Sequence, residues 1–126
     1  MKNDPREKRR VLIAEKDGIV AADLKKLFED WGYEEHTITR TIDFLGEYED
    51  STRYDMVVID ENCHPISSSI HTIRKFFRDY GAKVVFLSDF FNVHLPESLM
   101  AEKQFFLLPK PFNQSELESI ACAAAE

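Results

Sequence analysis

Tyr54-Asp55-Met56-Val57-Val58-Ile59-Asp60-Glu61-Asn62 is the stretch that decides the fold. Four apolar residues follow one another without interruption and then give way at once to Asp60-Glu61-Asn62. A strand with one wet face alternates apolar and polar residues, whereas an uninterrupted run suits a strand covered on both faces. Two more runs of this kind flank it, Val11-Leu12-Ile13-Ala14 and Val84-Val85-Phe86-Leu87. Phe105–Leu108 reads as a last strand and Glu35–Thr39 as a weaker one.

Between these runs the apolar period changes to that of a helix. Asp17 is placed to cap a helix carrying Ile19, Val20, Leu24, Leu27, Phe28 and Trp31, which Gly32 ends. Ile42, Leu45 and Tyr48 mark a shorter helix interrupted by Gly46. Ile70, Ile73, Phe76, Phe77 and Tyr80 mark another, closed by Gly81. Pro96 can open a short helix, where its missing N–H is no loss. Asn113 and Glu116 form a capping-box-like start to a final helix with Leu117, Ile120, Ala121 and Ala124. Strand and helix thus alternate about five times, which predicts a doubly wound five-stranded parallel sheet with helices on both faces.

Composition bounds what such a domain meets. With 126 residues the chain suits one domain, and its net charge of −7 lacks the basic face that nucleic-acid binding needs. The two cysteines, Cys63 and Cys122, form no CxxC pair, and no long apolar run or apolar leader is present. The expectation is a soluble, cytoplasmic protein with reduced thiols, without membrane or direct nucleic-acid contact. The charged stretch 1–10 reads as a mobile head and 11–126 as the folded domain.

Ligands of parallel α/β sheets bind beyond the carboxyl ends of the strands. The residues there are Glu15-Lys16-Asp17, Asp60-Glu61-Asn62, Ser88-Asp89 and Lys110. Carboxylates, a hydroxyl and an ammonium gathered at one edge suit a hard cation and an oxygen-rich anion. An aspartate nucleophile, a divalent ion that screens it, and a hydroxyl and ammonium that hold phosphoryl oxygens are the parts of a phosphoryl-transfer site. Asp60, Ser88 and Lys110 can fill the protein's share.

These residues also carry a family resemblance, from about Val11 to Ala125. Val11–Glu15, Trp31-Gly32-Tyr33-Glu34, Tyr54–Asp60, Val85-Phe86-Leu87-Ser88 and Leu107-Leu108-Pro109-Lys110-Pro111-Phe112 resemble, in order, motifs of the CheY-like, flavodoxin-like receiver domain of two-component response regulators. The resemblance implies that a histidine kinase, a phosphotransfer protein or a small phosphodonor phosphorylates Asp60. It implies Mg²⁺ held by Glu15, Asp60 and the Asn62 backbone carbonyl, Ser88 and Lys110 on the phosphoryl group, and a cis bond before Pro111. The output surface would be the fourth helix, fifth strand and fifth helix, with Phe90, Phe91 and Leu107 near it, facing a downstream protein or fused output domain. Any enzymatic activity would be limited to self-phosphorylation and self-dephosphorylation at Asp60.

The motifs depart from the family at one informative place. Where two adjacent acids are usual, this chain has Glu15-Lys16. Either Mg²⁺ still binds weakly, or the Lys16 ammonium takes over the cation's role in a phosphorylation-independent interaction module, or Lys16 points to solvent. Asp89 follows Ser88 where a small residue is usual, and Leu107 stands where an aromatic often reports activation. Cys63, His64 and His71 lack a fourth metal ligand and read as incidental. The small-residue stretch Ile120–Ala125 suits either a homodimer face or close packing on the sheet. A true enzyme on a similar sheet is disfavoured, because Asn62 stands where aspartate-nucleophile phosphatases need a second aspartate and no glycine-rich phosphate loop follows any strand.

Overall fold

A computed structural model describes residues 9–39, 54–61, 66–89 and 96–123. The elements run in the order β1 (Arg9–Ala14), α1 (Gly18–Asp30), β2 (Tyr33–Thr39), β3 (Met56–Asp60) and α2 (Ile66–Lys75). A π-helical turn, Phe76–Tyr80, prolongs α2, and β4 (Lys83–Ser88), α3 (Glu97–Met100), β5 (Phe105–Pro109) and α4 (Gln114–Cys122) complete the chain. All five strands are parallel and lie in the order β2-β1-β3-β4-β5. The predicted doubly wound sheet is therefore the one observed. The helix expected over Ile42–Tyr48 lies outside the described residues.

The pleat sorts the core into two layers. Leu12, Ala14, Val57, Ile59, Val84 and Phe86 pack on one face with Ile73, Phe76 and Leu99, beneath α2 and α3. Val11, Ile13, Met56, Val58, Val85 and Leu87 point to the other, against Leu24 and Phe28 of α1 and Leu117 and Ala121 of α4. Alternate residues of one strand thus serve opposite layers, which is why the buried runs Val11–Ala14, Met56–Ile59 and Val84–Leu87 carry no polar side chain. Burying one Phe or Leu contributes about 1.5–3 kcal/mol, so these two layers hold the strand tips rigidly.

Local signals set the element ends. The Asp17 carboxylate accepts from the N–H groups of Ile19 and Val20 at 2.9 and 3.2 Å, capping α1. Gly32 and Gly81 leave α1 and the π-helical turn with φ of 95° and 66°, values that glycine adopts most cheaply. Pro96 caps α3 rather than lying within it. Asn113 caps α4 by accepting from the Glu116 N–H at 3.1 Å.

Two boundaries differ from the sequence reading. β1 begins at Arg9, so the last two residues assigned to the head are strand. There the Arg10 N–H donates to Asp55 at 2.9 Å, and the Arg9 guanidinium lies over the Tyr33 ring. β2 begins at Tyr33, which packs edge-on against Phe28 and donates its hydroxyl to the Ala121 carbonyl at 2.8 Å. Among the described residues no helix is long and apolar enough to cross a membrane.

Candidate functional site

Strand register brings the tips together. Ala14 pairs with Ile59, Asp60 with Leu87, and Ser88 with Pro109, so Glu15, Asp60, Ser88 and Lys110 end neighbouring strands at one edge. Backbone bonds continue the ladder past the strands, from Glu61 N–H to Leu87 O and from Lys110 N–H to Ser88 O, each 2.8 Å. Among the described residues three polar ones are buried: Glu15, Asp60 and Ser88, at 5%, 1% and 1% exposure. Burial of that depth needs partners.

The Lys110 ammonium donates to Asp60 Oδ2 at 2.6 Å. It also lies 3.6 Å from Asp89 Oδ1, so Asp89 sits at the rim of the site and shares its cation. Burial works against the Lys110 charge, but the hydrogen bond to Asp60 and the fields of Asp60, Asp89 and Glu15 outweigh it and raise its pKa. The Lys110–Pro111 peptide bond is cis.

Glu15 is the strained member electrostatically. One oxygen, Oε2, accepts from the Asp17 N–H at 3.1 Å, while the buried Oε1 finds no donor. Burial and then the adjacent Asp60 carboxyl push its pKa up to about 7, against the opposing pull of the Asp17 N–H and Lys110. Two ionised carboxylates are both acceptors and cannot satisfy each other; a proton or a cation between them can. Mg²⁺ commonly takes one or two carboxylates and fills its remaining positions with waters and phosphate oxygens. Glu15 and Asp60 fit that donor set. Among the described residues no group of three His, Cys, Asp or Glu is placed to hold a metal ion, at this site or elsewhere, so the protein's share here is these two carboxylates.

Lys16 is exposed, one step beyond Glu15, and the ammonium on Asp60 is that of Lys110 instead. Of the arrangements left open for Lys16, the solvent-facing one is observed. The reason is local: Glu15 turns inward from the strand, and the cap at Asp17 carries the chain outward over the intervening residue. The Asn62 carbonyl, Cys63, His64, Phe90 and Phe91 lie outside the described residues. Leu107 is 37% exposed on β5, beside Met100 of α3 and Ile120 of α4 in one shallow apolar groove.

One site residue had been assigned no role from sequence. The Glu61 carboxylate accepts from the Ser88 hydroxyl at 2.7 Å and from the Asp89 N–H at 3.3 Å. The pleat explains it. Asp60 continues the series Met56, Val58 toward the α1 layer, so Glu61 continues Val57, Ile59 toward the other, where Ser88 follows Val84 and Phe86.

No protein-family model and no curated protein matches the sequence. Solved structures do. A CheY-like response regulator receiver domain from Methylobacillus flagellatus superimposes with a TM-score of 0.71 and 25% identity, over 90% of this chain and 96% of that one. The response regulator PhyR from Brucella abortus gives 0.64 and 28%, over 92% of this chain but 47% of its own. The signal receiver domain of an HD domain-containing protein from Pseudomonas fluorescens gives 0.70 at 15% identity, over 90% and 91%. The chain thus has the fold of CheY-like response regulator receiver domains.

Proposed function

We propose that this chain, a receiver domain in fold, accepts a phosphoryl group on Asp60 and transmits the change to a protein partner. The observation that supports it is Asp60 itself, a buried carboxylate at a strand tip with an ammonium at 2.6 Å and a buried hydroxyl on the neighbouring strand. An Asp60 oxygen attacks the donor phosphorus. The bond from phosphorus to the donor's nitrogen or oxygen breaks, the donor keeps that electron pair, and an acyl phosphate forms. Lys110 and the Ser88 hydroxyl supply donors to the transferred oxygens. Mg²⁺ bound by Glu15 and Asp60 would screen the negative charge of the approaching donor.

The donor is a histidine kinase, a phosphotransfer protein or a small phosphodonor, and the receiver of the signal is a downstream protein or a fused output domain. The groove of Met100, Leu107 and Ile120 on α3, β5 and α4 is the output surface, because β5 and β4 are joined through Lys110 N–H and Ser88 O at the site. Incubation with phosphoramidate and Mg²⁺, read by phosphorus NMR, is expected to show an acyl phosphate in the wild type and none in Asp60→Asn. A wild type without that resonance rejects the proposal.

A second reading rests on the contacts of the unmodified site. Asp60 already has a cation and Ser88 already has an anion. Such a domain can bind its partner without phosphorylation, and retention of partner binding by Asp60→Asn is the result that favours this reading.

A further inference from the structure

We infer that Glu61 is a positioning residue that holds, in the unmodified domain, the donors a phosphoryl group on Asp60 would need. The inference rests on the proposed phosphorylation of Asp60 and concerns how that reaction is set. Three donors lie at the strand tips beside Asp60: the Lys110 ammonium, which donates to it, and the Ser88 hydroxyl and Asp89 N–H, which directly follow its register partner Leu87. Two of the three already donate to one carboxylate oxygen, Glu61 Oε1. A carboxylate carries the charge and the acceptor oxygens that make a phosphoryl group attractive to the same donors.

The tether makes this occupancy strong. Glu61 directly follows Asp60, and its N–H is fixed to Leu87 O at 2.8 Å. An intramolecular group of this kind competes at an effective concentration that a free anion in solution does not reach. Its side chain has the pleat direction of Ile59, so it reaches Ser88 without crossing Asp60.

Two consequences follow. The Ser88 hydroxyl is drawn toward an anion before any phosphorylation, so the β4 tip in the resting domain already has the engagement that modification would otherwise impose. Phosphorylation must in turn displace Glu61, which slows the transfer by its charge and by the bonds it surrenders. The atoms exchanged are the same as in the transfer itself; only the acceptor of the Ser88 and Asp89 hydrogen bonds changes, from Glu61 Oε1 to a phosphoryl oxygen.

The test compares wild type, Glu61→Gln and Glu61→Ala. With phosphoramidate and Mg²⁺, both variants are expected to phosphorylate about tenfold faster or more, the scale of one lost charge-assisted hydrogen bond. Without any phosphodonor, the Asp89 amide is expected to exchange its hydrogen about tenfold faster in Glu61→Ala, while core amides of β3 stay unchanged. Equal phosphorylation rates in all three proteins overturn the inference and leave Asp60 as the acceptor. If none is phosphorylated, the function proposed for Asp60 fails, and the amide decides about Glu61 independently. Unaltered Asp89 exchange in Glu61→Ala overturns the inference in either case.

Discussion

Replacing Lys110 by methionine removes the ammonium 2.6 Å from a carboxylate that is 1% exposed, and leaves Asp60 beside Glu15. Stranding a buried charge in this way costs about 3–5 kcal/mol. The Lys110 side chain is 24% exposed, so water replaces part of what is lost, and the lower end, about 3 kcal/mol, applies. For a domain of this size that corresponds to roughly 10 °C in Tm. The loss depends on pH through Glu15, whose pKa is raised from 4.5 to about 7. A carboxyl with a raised folded pKa stabilises fully below its unfolded value, and that contribution is lost as pH rises through the folded value. Lys110 pulls the Glu15 pKa down, so its removal moves the window upward. At pH 5.5 Glu15 is protonated in both proteins and can donate to Asp60, so the difference between them is smaller than at pH 8, where Glu15 adds its own charge. Urea unfolding in EDTA at the two pH values measures this, and Mg²⁺ at a hundred times its Kd is expected to return about 2.7 kcal/mol. A variant as stable as wild type at pH 8, or equally destabilised at both values, refutes the reasoning.

Glu15→Gln removes a carboxyl that resists ionisation, so it is expected to stabilise the metal-free protein by about 1 kcal/mol at pH 8 and to abolish Mg²⁺-dependent amide shifts at residues 15 and 60; unchanged shifts contradict it. Asp17→Ala removes the cap of α1 and is expected to lower stability by about 1 kcal/mol in urea. Tyr33→Phe deletes the bond to the Ala121 carbonyl, lowering stability by about 1 kcal/mol. Amide exchange at the C-terminal end of α4 should rise with it, while Lys83, which donates to the Ile120 and Ala123 carbonyls at 2.9 and 3.0 Å, still holds that end.

What could be read from sequence was whatever one segment carries by itself. The runs around Val57, Ile13 and Val85 are apolar on both faces and admit few readings other than central strands. Asp17 and Asn113 declare helix starts within three residues. Tyr33 falls outside the strand expected over Glu35–Thr39 because its partners, Phe28 and Ala121, reach it from two helices. The π-helical turn at Phe76–Tyr80 was read as ordinary helix, since apolar spacing cannot distinguish the two windings. The role of Glu61 was hidden for a related reason. It depends on the register that sets Asp60 opposite Leu87, a relation between distant segments, although a carboxylate on the same pleat face as Ser88 is a signal available once that register is known. The direction of Lys16 likewise followed from the Asp17 cap and not from the charge pattern that raised the question.

The phosphoryl transfer proposed for the site requires that Asp60 be the acceptor. Intact mass of wild type and Asp60→Asn after incubation with phosphoramidate and Mg²⁺, before and after hydroxylamine treatment, measures this directly. The account predicts that the wild type gains one phosphoryl group and loses it to hydroxylamine, as an acyl phosphate must, while Asp60→Asn gains none. Equal labelling of both proteins, or none in either, contradicts it.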